Sequence, residues 1–225
     1  MTVRAVLFDW RGTLVTTRGP KWAVERALAV VGRPATDQDV DHVLSAVLAA
    51  NGPENRLDTP GMDCDATRHR AISMSVFREA GLDNELAEAL YAVDADPDFT
   101  VFATDVPATL RSLRGSGIAV GVVSDIHFDL RPLFARVGCL ELVDAFTLSF
   151  EIGAQKPDPV VFEHALGALG VAPDEALMVG DRSGPDGGAV ESGVTTLLLP
   201  PLRDPVHERL HRVLALCASR GSGIP

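Results

Sequence analysis

The chain has 225 residues, of which 46% are hydrophobic and 23% charged. That size and apolar content suit one large domain, or a core domain with a smaller companion, and exclude a disordered chain. A formal net charge of −11 repels phosphate backbones and argues against non-specific nucleic-acid binding, although a local cationic pocket for a small anion is compatible with it. The three cysteines, Cys64, Cys139 and Cys217, are too few and too far apart for a disulfide framework or a Cys-x-x-Cys metal site, and they fit a reduced, cytoplasmic setting. No apolar run nears the ~20 residues of a membrane helix, and the strand-like pattern starts so close to Met1 that no signal peptide is expected.

Val3 to Phe8 is an almost continuous apolar run and predicts a strand buried on both faces; it stops at Asp9, and Gly12 marks a turn. Residues 16–103 show helical spacing and no convincing strand. Val24, Leu28 and Val31 predict one helix there. Val40, Val43, Leu44, Val47 and Leu48 predict a second, with Thr36 as its N-cap. The loop-like stretch from Asn51 to Gly61 leads to a third helix over Ala66 to Ala80, closed by Gly81, and Leu86, Leu90 and Val93 mark a fourth. Beyond this insert, strands and helices alternate. A helix over Pro107 to Arg114 precedes a strand over Ile118 to Val123, which ends at Ser124 and Asp125. A helix over Leu130 to Val137, a more alternating strand over Ala145 to Phe150, and a helix over Pro157 to Leu169 follow. Ala176 to Val179 is a strand ending at Gly180 and Asp181, Val194 to Leu199 is another ending at Pro200, and Pro205 to Ala218 reads as a final surface helix.

Such alternation implies an α/β fold: a parallel sheet with helices on both faces, interrupted by an α-helical insert. The core is expected from residues 1–15 and 104–225 and the insert from 16–103. Parallel sheets of this kind place ligands at the carboxyl ends of their strands. Those ends carry Asp9, Ser124 and Asp181, polar groups that each follow an apolar run.

Phe8-Asp9-Trp10-Arg11-Gly12-Thr13-Leu14 resembles the first motif of the haloacid dehalogenase superfamily. Ser124 stands where the second motif is expected. Lys156, in Gln155-Lys156-Pro157-Asp158-Pro159, resembles the third, and Gly180-Asp181 with Asp186-Gly187-Gly188-Ala189 resembles the fourth. Four motifs in order, each at a strand end or helix start, span essentially the whole chain. The resemblance implies a Rossmann-like core with a helical first-type cap, and hydrolysis of a small phosphorylated molecule through an aspartyl-phosphate. Asp9 is then the nucleophile, assisted by the hydroxyls of Thr13 and Ser124 and by the ammonium of Lys156. Mg²⁺ would be held by Asp9, Asp181, Asp186 and the backbone carbonyl of Arg11, an oxygen set suited to a hard cation. Ser124, Lys156 and Arg11 would bind substrate. A monomer or homodimer without nucleic-acid or membrane partners is expected.

Each residue also has a plainer reading. An aspartate at a strand end caps turns, Asp186 suits a helix N-cap, and a lysine is by default a solvated charge. Yet Lys21 and Lys156 are the two lysines among 20 basic residues, so a compact ammonium at Lys156 is a departure from this chain's preference for arginine. Lys21 reads as a solvated helix residue. Arg68, His69 and Arg70 could line a cleft, but a solvated helix face is the simpler reading. His207-Glu208-Arg209-Leu210-His211 matches the zinc-protease pattern His-Glu-x-x-His, but lies in an acidic tail without a third ligand and reads as an amphipathic surface helix. Of the remaining histidines, His127 is notable for lying three residues past Ser124.

One position departs from the family. Phosphatases of this superfamily carry a second aspartate two residues after the nucleophile, as acid and then base. Here that residue is Arg11, and a guanidinium cannot exchange protons at working pH. Three readings follow. The first is a phosphohydrolase suited to good leaving groups such as acyl or enol phosphates. The second is a haloacid dehalogenase-like or phosphonatase-like hydrolase, the latter needing a cap lysine for an imine. The third is a phosphate-ligand sensor without turnover.

Overall fold

The computed structural model describes residues 2–218. The chain forms two compact units, Met1–Thr16 with Phe102–Pro225, and Thr17–Val101. Its strands in chain order are β1 (Ala5–Phe8), β2 (Val15–Thr17), β3 (Thr100–Phe102), β4 (Ala119–Ser124), β5 (Ala145–Leu148), β6 (Ala176–Gly180) and β7 (Thr195–Leu198). β2 and β3 pair as a small two-stranded sheet. This corrects the expectation that residues 16–103 hold no strand: three-residue strands are too short to display a period of two.

The other five strands form one sheet in the order β5-β4-β1-β6-β7, with every pairing parallel. β1 takes the centre because all four of its residues are apolar and fully buried. Its side chains alternate between two cores. Val6 and Phe8 pack with Leu110, Leu113 and Phe134 on one face, while Leu7 packs with Phe162, Ala165 and Met178 on the other. Helices therefore cover both faces, as a parallel sheet requires. The chain runs from β1 to β4 and out to β5, then returns to the opposite side of β1 for β6 and β7. Such a reversal of strand order marks the carboxyl edge beside β1 as the place where parallel sheets bind ligands.

The Thr17–Val101 unit is built from α1 (Gly19–Val30), α2 (Asp37–Asn51), α3 (Ala66–Glu79) and α4 (Asn84–Ala92). Thr36 caps α2 as expected. Its hydroxyl accepts from the Asp39 N–H at 3.3 Å, and the Asp39 carboxylate accepts from the Thr36 N–H at 3.2 Å, which satisfies two free donors of the first turn. Val24, Leu28, Val40, Val43 and Leu86 form this unit's core. The unit also holds a cavity of about 350 Å³ with mostly apolar walls, into which His69, Ser73 and Tyr91 contribute. Arg68 and Arg70 are exposed, as a solvated face implies, but His69 is partly buried, with Nδ1 3.3 Å from the Tyr91 hydroxyl.

In the sheet-bearing unit the helices are α5 (Val106–Gly115), α6 (Arg131–Arg136), α7 (Ser149–Ile152), α8 (Pro159–Leu169) and α9 (His211–Ala218). The last corrects the sequence reading, because residues 205–210 are not helical. The Asp105 carboxylate accepts the N–H groups of Arg209 and Leu210 at 2.6 and 2.8 Å, so these donors are taken before α9 starts. His207 and His211 consequently do not share a helix face, and the zinc-protease pattern is not built. No helix among the described residues is long and apolar enough to cross a membrane.

Candidate active site

Asp9 directly follows β1, Ser124 is the last residue of β4, and Asp181 directly follows β6. These three strands are adjacent in the sheet, so a register set by apolar pairing fixes the three polar residues on one edge. The Asp9 N–H still donates to the Val179 carbonyl at 2.9 Å, which ties the loop's first residue to the ladder. Asp9 and Ser124 are each 3% exposed.

Lys156 lies in the segment before α8 and is the hub. Its side chain is fully buried, and Nζ donates to Asp9 Oδ1 at 2.5 Å and to Asp186 Oδ1 at 2.6 Å. Its backbone N–H donates to Asp125 Oδ1 at 2.9 Å, fixing the turn that delivers the ammonium. Burial alone would depress its basicity, but Asp9, Asp186 and Asp125 outweigh that and hold it above the ordinary lysine value. The plain reading of Lys156 as a solvated charge is therefore wrong.

Asp186 is fully buried, and its second oxygen accepts the N–H groups of Asp181 and Arg182 at 3.0 and 2.9 Å. It points back over the β6 loop rather than capping the short helical turn that follows it. This approach requires Gly180, where an added Cβ would lie 2.3 Å from the Asp186 carboxyl carbon. Gly12 plays the same part for Asp181: its φ is +84°, and a Cβ there would lie 2.4 Å from Asp181 Oδ2. The Thr13 hydroxyl donates to Asp9 Oδ2 at 3.1 Å and reaches Asp181 Oδ1 at 3.5 Å.

Asp9, Asp181 and Asp186 each offer an oxygen within 4.8 Å of the others. Three clustered carboxylates with one buried ammonium among them leave negative charge in excess. Burial first, and then Asp9 and Asp186, push Asp181 up to about 6. Oxygen donors, close spacing and unneutralised charge together fit a hard divalent cation. Arg11 is partly buried, and its backbone bridges to Val15. Asp125 is held above the usual carboxylate range chiefly by burial, and His127 is buried two residues on.

Sequence reasoning missed Arg209. It is 3% exposed, and its guanidinium reaches the Asp9 loop, donating to the carbonyls of Gly12 and Thr13. The zinc-like pattern around it drew attention to the histidines instead. Lys21 bears out the plain reading: Nζ donates to Asp37 at the surface at 2.7 Å, and that contact raises its basicity.

Known proteins are similar to this chain over most of its length. A glyceraldehyde 3-phosphate phosphatase of Methanothermobacter thermautotrophicus is 28% identical over 207 residues, covering 88% of this chain and 85% of that protein. A ribulose-1,5-bisphosphate 5-phosphatase of Halopiger xanaduensis is 31% identical over 210 residues, covering 88% and 84%. Among solved structures, an HAD phosphatase from Thermococcus onnurineus superposes with a TM-score of 0.61 at 27% identity, covering 91% of this chain and 88% of that one. Residues 3–190 match the haloacid dehalogenase-like hydrolases, and the chain belongs to that family of enzymes.

Proposed function

We propose that this enzyme is a Mg²⁺-dependent phosphohydrolase acting on a small phosphorylated metabolite, with Asp9 as covalent nucleophile. The observation that carries this reading is the cluster of Asp9, Asp181 and Asp186, two of whose carboxylates, Asp9 and Asp186, accept from the buried Lys156 ammonium. Relatives named for phosphatase activity on sugar-type phosphates support the substrate class. Asp9, Asp181, Asp186 and the Arg11 carbonyl would hold the ion, which when bound supplies positive charge to the phosphoryl oxygens.

Asp9 attacks phosphorus, and the leaving oxygen departs with the bonding electrons. Lys156 screens the nucleophile from the incoming negative charge, and Thr13 orients it through the 3.1 Å hydrogen bond. Ser124, at the end of β4, binds a phosphoryl oxygen. Water then attacks the aspartyl-phosphate, releasing phosphate and restoring the carboxylate. Arg11 cannot protonate the departing oxygen, so the enzyme favours groups that leave as stable anions, such as acyl or enol phosphates. Asp125 and His127 are the titratable groups on the Ser124 loop that could take the proton from water. The phosphonatase-like reading fits poorly, because an imine-forming lysine needs depressed basicity and Lys21 has the reverse.

A phosphate-release screen with acetyl, aryl and alkyl phosphates, with Mg²⁺ and with chelator, tests the proposal against Asp9→Asn. Release that needs Mg²⁺ and vanishes in the variant is expected. Undiminished turnover by Asp9→Asn, or halide release from a 2-haloacid with no phosphate release, overturns it.

A further inference from the structure

Arg209 sits in the non-helical stretch before α9, in the sheet-bearing unit. Its guanidinium donates to three backbone carbonyls: Thr13 at 2.6 Å and Gly12 at 3.3 Å through Nη2, and Pro200 through Nη1. Two of these belong to the loop that carries Asp9. The Gly12 carbonyl also accepts the Leu202 N–H at 2.7 Å. Asp105 seats the arginine by accepting the backbone N–H groups of Arg209 and Leu210.

What the arginine holds is what the site needs held. Thr13, whose carbonyl it grips, orients Asp9 through its hydroxyl. Gly12, whose carbonyl it shares, lies so close to the Asp181 carboxylate that no side chain fits between them. The conformation of residues 12 and 13 therefore sets Asp9 and Asp181 together. Burying a guanidinium is costly: here Nη1 and Nη2 are hydrogen-bonded while the buried Nε has no partner among the described residues, and burial weakens this group's hold on its proton. A fold needing only packing at this spot would use an apolar side chain, which could not hold carbonyl oxygens in place.

We propose that Arg209 is a positioning residue: from the C-terminal tail it fixes the Gly12–Thr13 backbone and so aligns the nucleophile with the metal-binding carboxylates. This rests on the assignment of Asp9 as nucleophile. The side-chain hydrogen bonds described for Arg209 all go to backbone carbonyls, so it acts through the loop.

The test uses the full chain carrying Arg209→Met, Arg209→Lys or Arg209→Ala. Acetyl phosphate kinetics, Mg²⁺ affinity by calorimetry and thermal melting are measured for each. Displacing reacting groups by ~1 Å can cost ~10²-fold, so kcat per folded molecule is expected to fall about 10- to 100-fold in Arg209→Met. KM should change far less, and Mg²⁺ should bind more weakly. Millimolar guanidinium chloride, well below denaturing levels, should recover part of the Arg209→Ala rate and leave the wild type unchanged. A lower melting temperature with wild-type kcat and Mg²⁺ affinity overturns the proposal, since it marks a merely structural arginine. If Arg209→Met does not fold, the Lys variant and the guanidinium-treated Ala variant decide by the same criteria. If the wild type releases no phosphate, the functional reading fails, while the Mg²⁺ affinities still judge Arg209.

Discussion

Replacing Lys156 with methionine removes the ammonium shared by Asp9 and Asp186 while nearly conserving the side chain's length. Both carboxylates stay buried, with side-chain exposures of 4% and 0%, and face each other without a cation. Breaking a buried ion pair this way costs about 3–5 kcal/mol, and at roughly 2–4 °C per kcal/mol for a chain of this size, melting should fall by about 6–20 °C. The loss should depend on pH in a definite direction. Because Lys156 is held above its ordinary value, its contribution is present throughout the neutral and acidic range and fades only in strong alkali. Asp181, pushed up to about 6, adds its own pH dependence to both proteins, so the quantity to compare is the variant's deficit relative to wild type at each pH. Protonating the stranded carboxylates relieves their repulsion, so that deficit should shrink as pH falls. Thermal melts in chelator at about pH 7.5 and about pH 5, for wild type and Lys156→Met, measure both effects. Melting within about 2 °C of wild type at the higher pH would refute the picture of one buried ammonium neutralising two buried carboxylates.

Mg²⁺ should raise the melting temperature more at about pH 7.5 than at about pH 5. Asp181, pushed up to about 6, costs the metal-free fold stability as pH rises from the ordinary carboxylate range through that value, and a bound cation removes the cost. Equal increments at both pH values would count against the shared-cation site. Arg11→Asp places a proton-exchanging group two residues after Asp9, the proposed nucleophile, and should raise alkyl-phosphate turnover by up to ~10²-fold, with a smaller change on aryl phosphate. An unchanged or lower alkyl rate in a folded variant would mean that Arg11 serves as a substrate anchor.

The strands beneath the candidate site were legible because each is a short, nearly unbroken apolar run ending in a polar residue, and the sheet brings those endings to one edge. Asp9, Ser124 and Asp181 thus came directly from the pattern. Lys156 stood out by composition, as one of two lysines. Its true environment was not legible, because a buried ammonium depends on Asp9 and Asp186, 147 and 30 residues away. The strands β2 and β3 were missed because three residues carry too little period. The start of α9 was misplaced because Asp105, about a hundred residues earlier, captures the N–H groups that would have begun the helix sooner. Arg209 was invisible for the same reason: its partners are backbone carbonyls near the opposite end of the chain, and a carbonyl leaves no mark in sequence.

The central place of β1 has a consequence in time. β1, which leads directly into Asp9, precedes both of its neighbours in the chain, and these begin at Ala119 and Ala176. At ~5–20 residues per second, the second of these leaves the ribosome roughly ten to thirty seconds after β1. Until the first of them emerges β1 lacks a partner on both edges, and until the second emerges it still lacks one on its β6 edge. The newborn chain must therefore be sheltered or kept loosely collapsed until its last third emerges, and the acidic cluster forms only then, with the rest of the sheet.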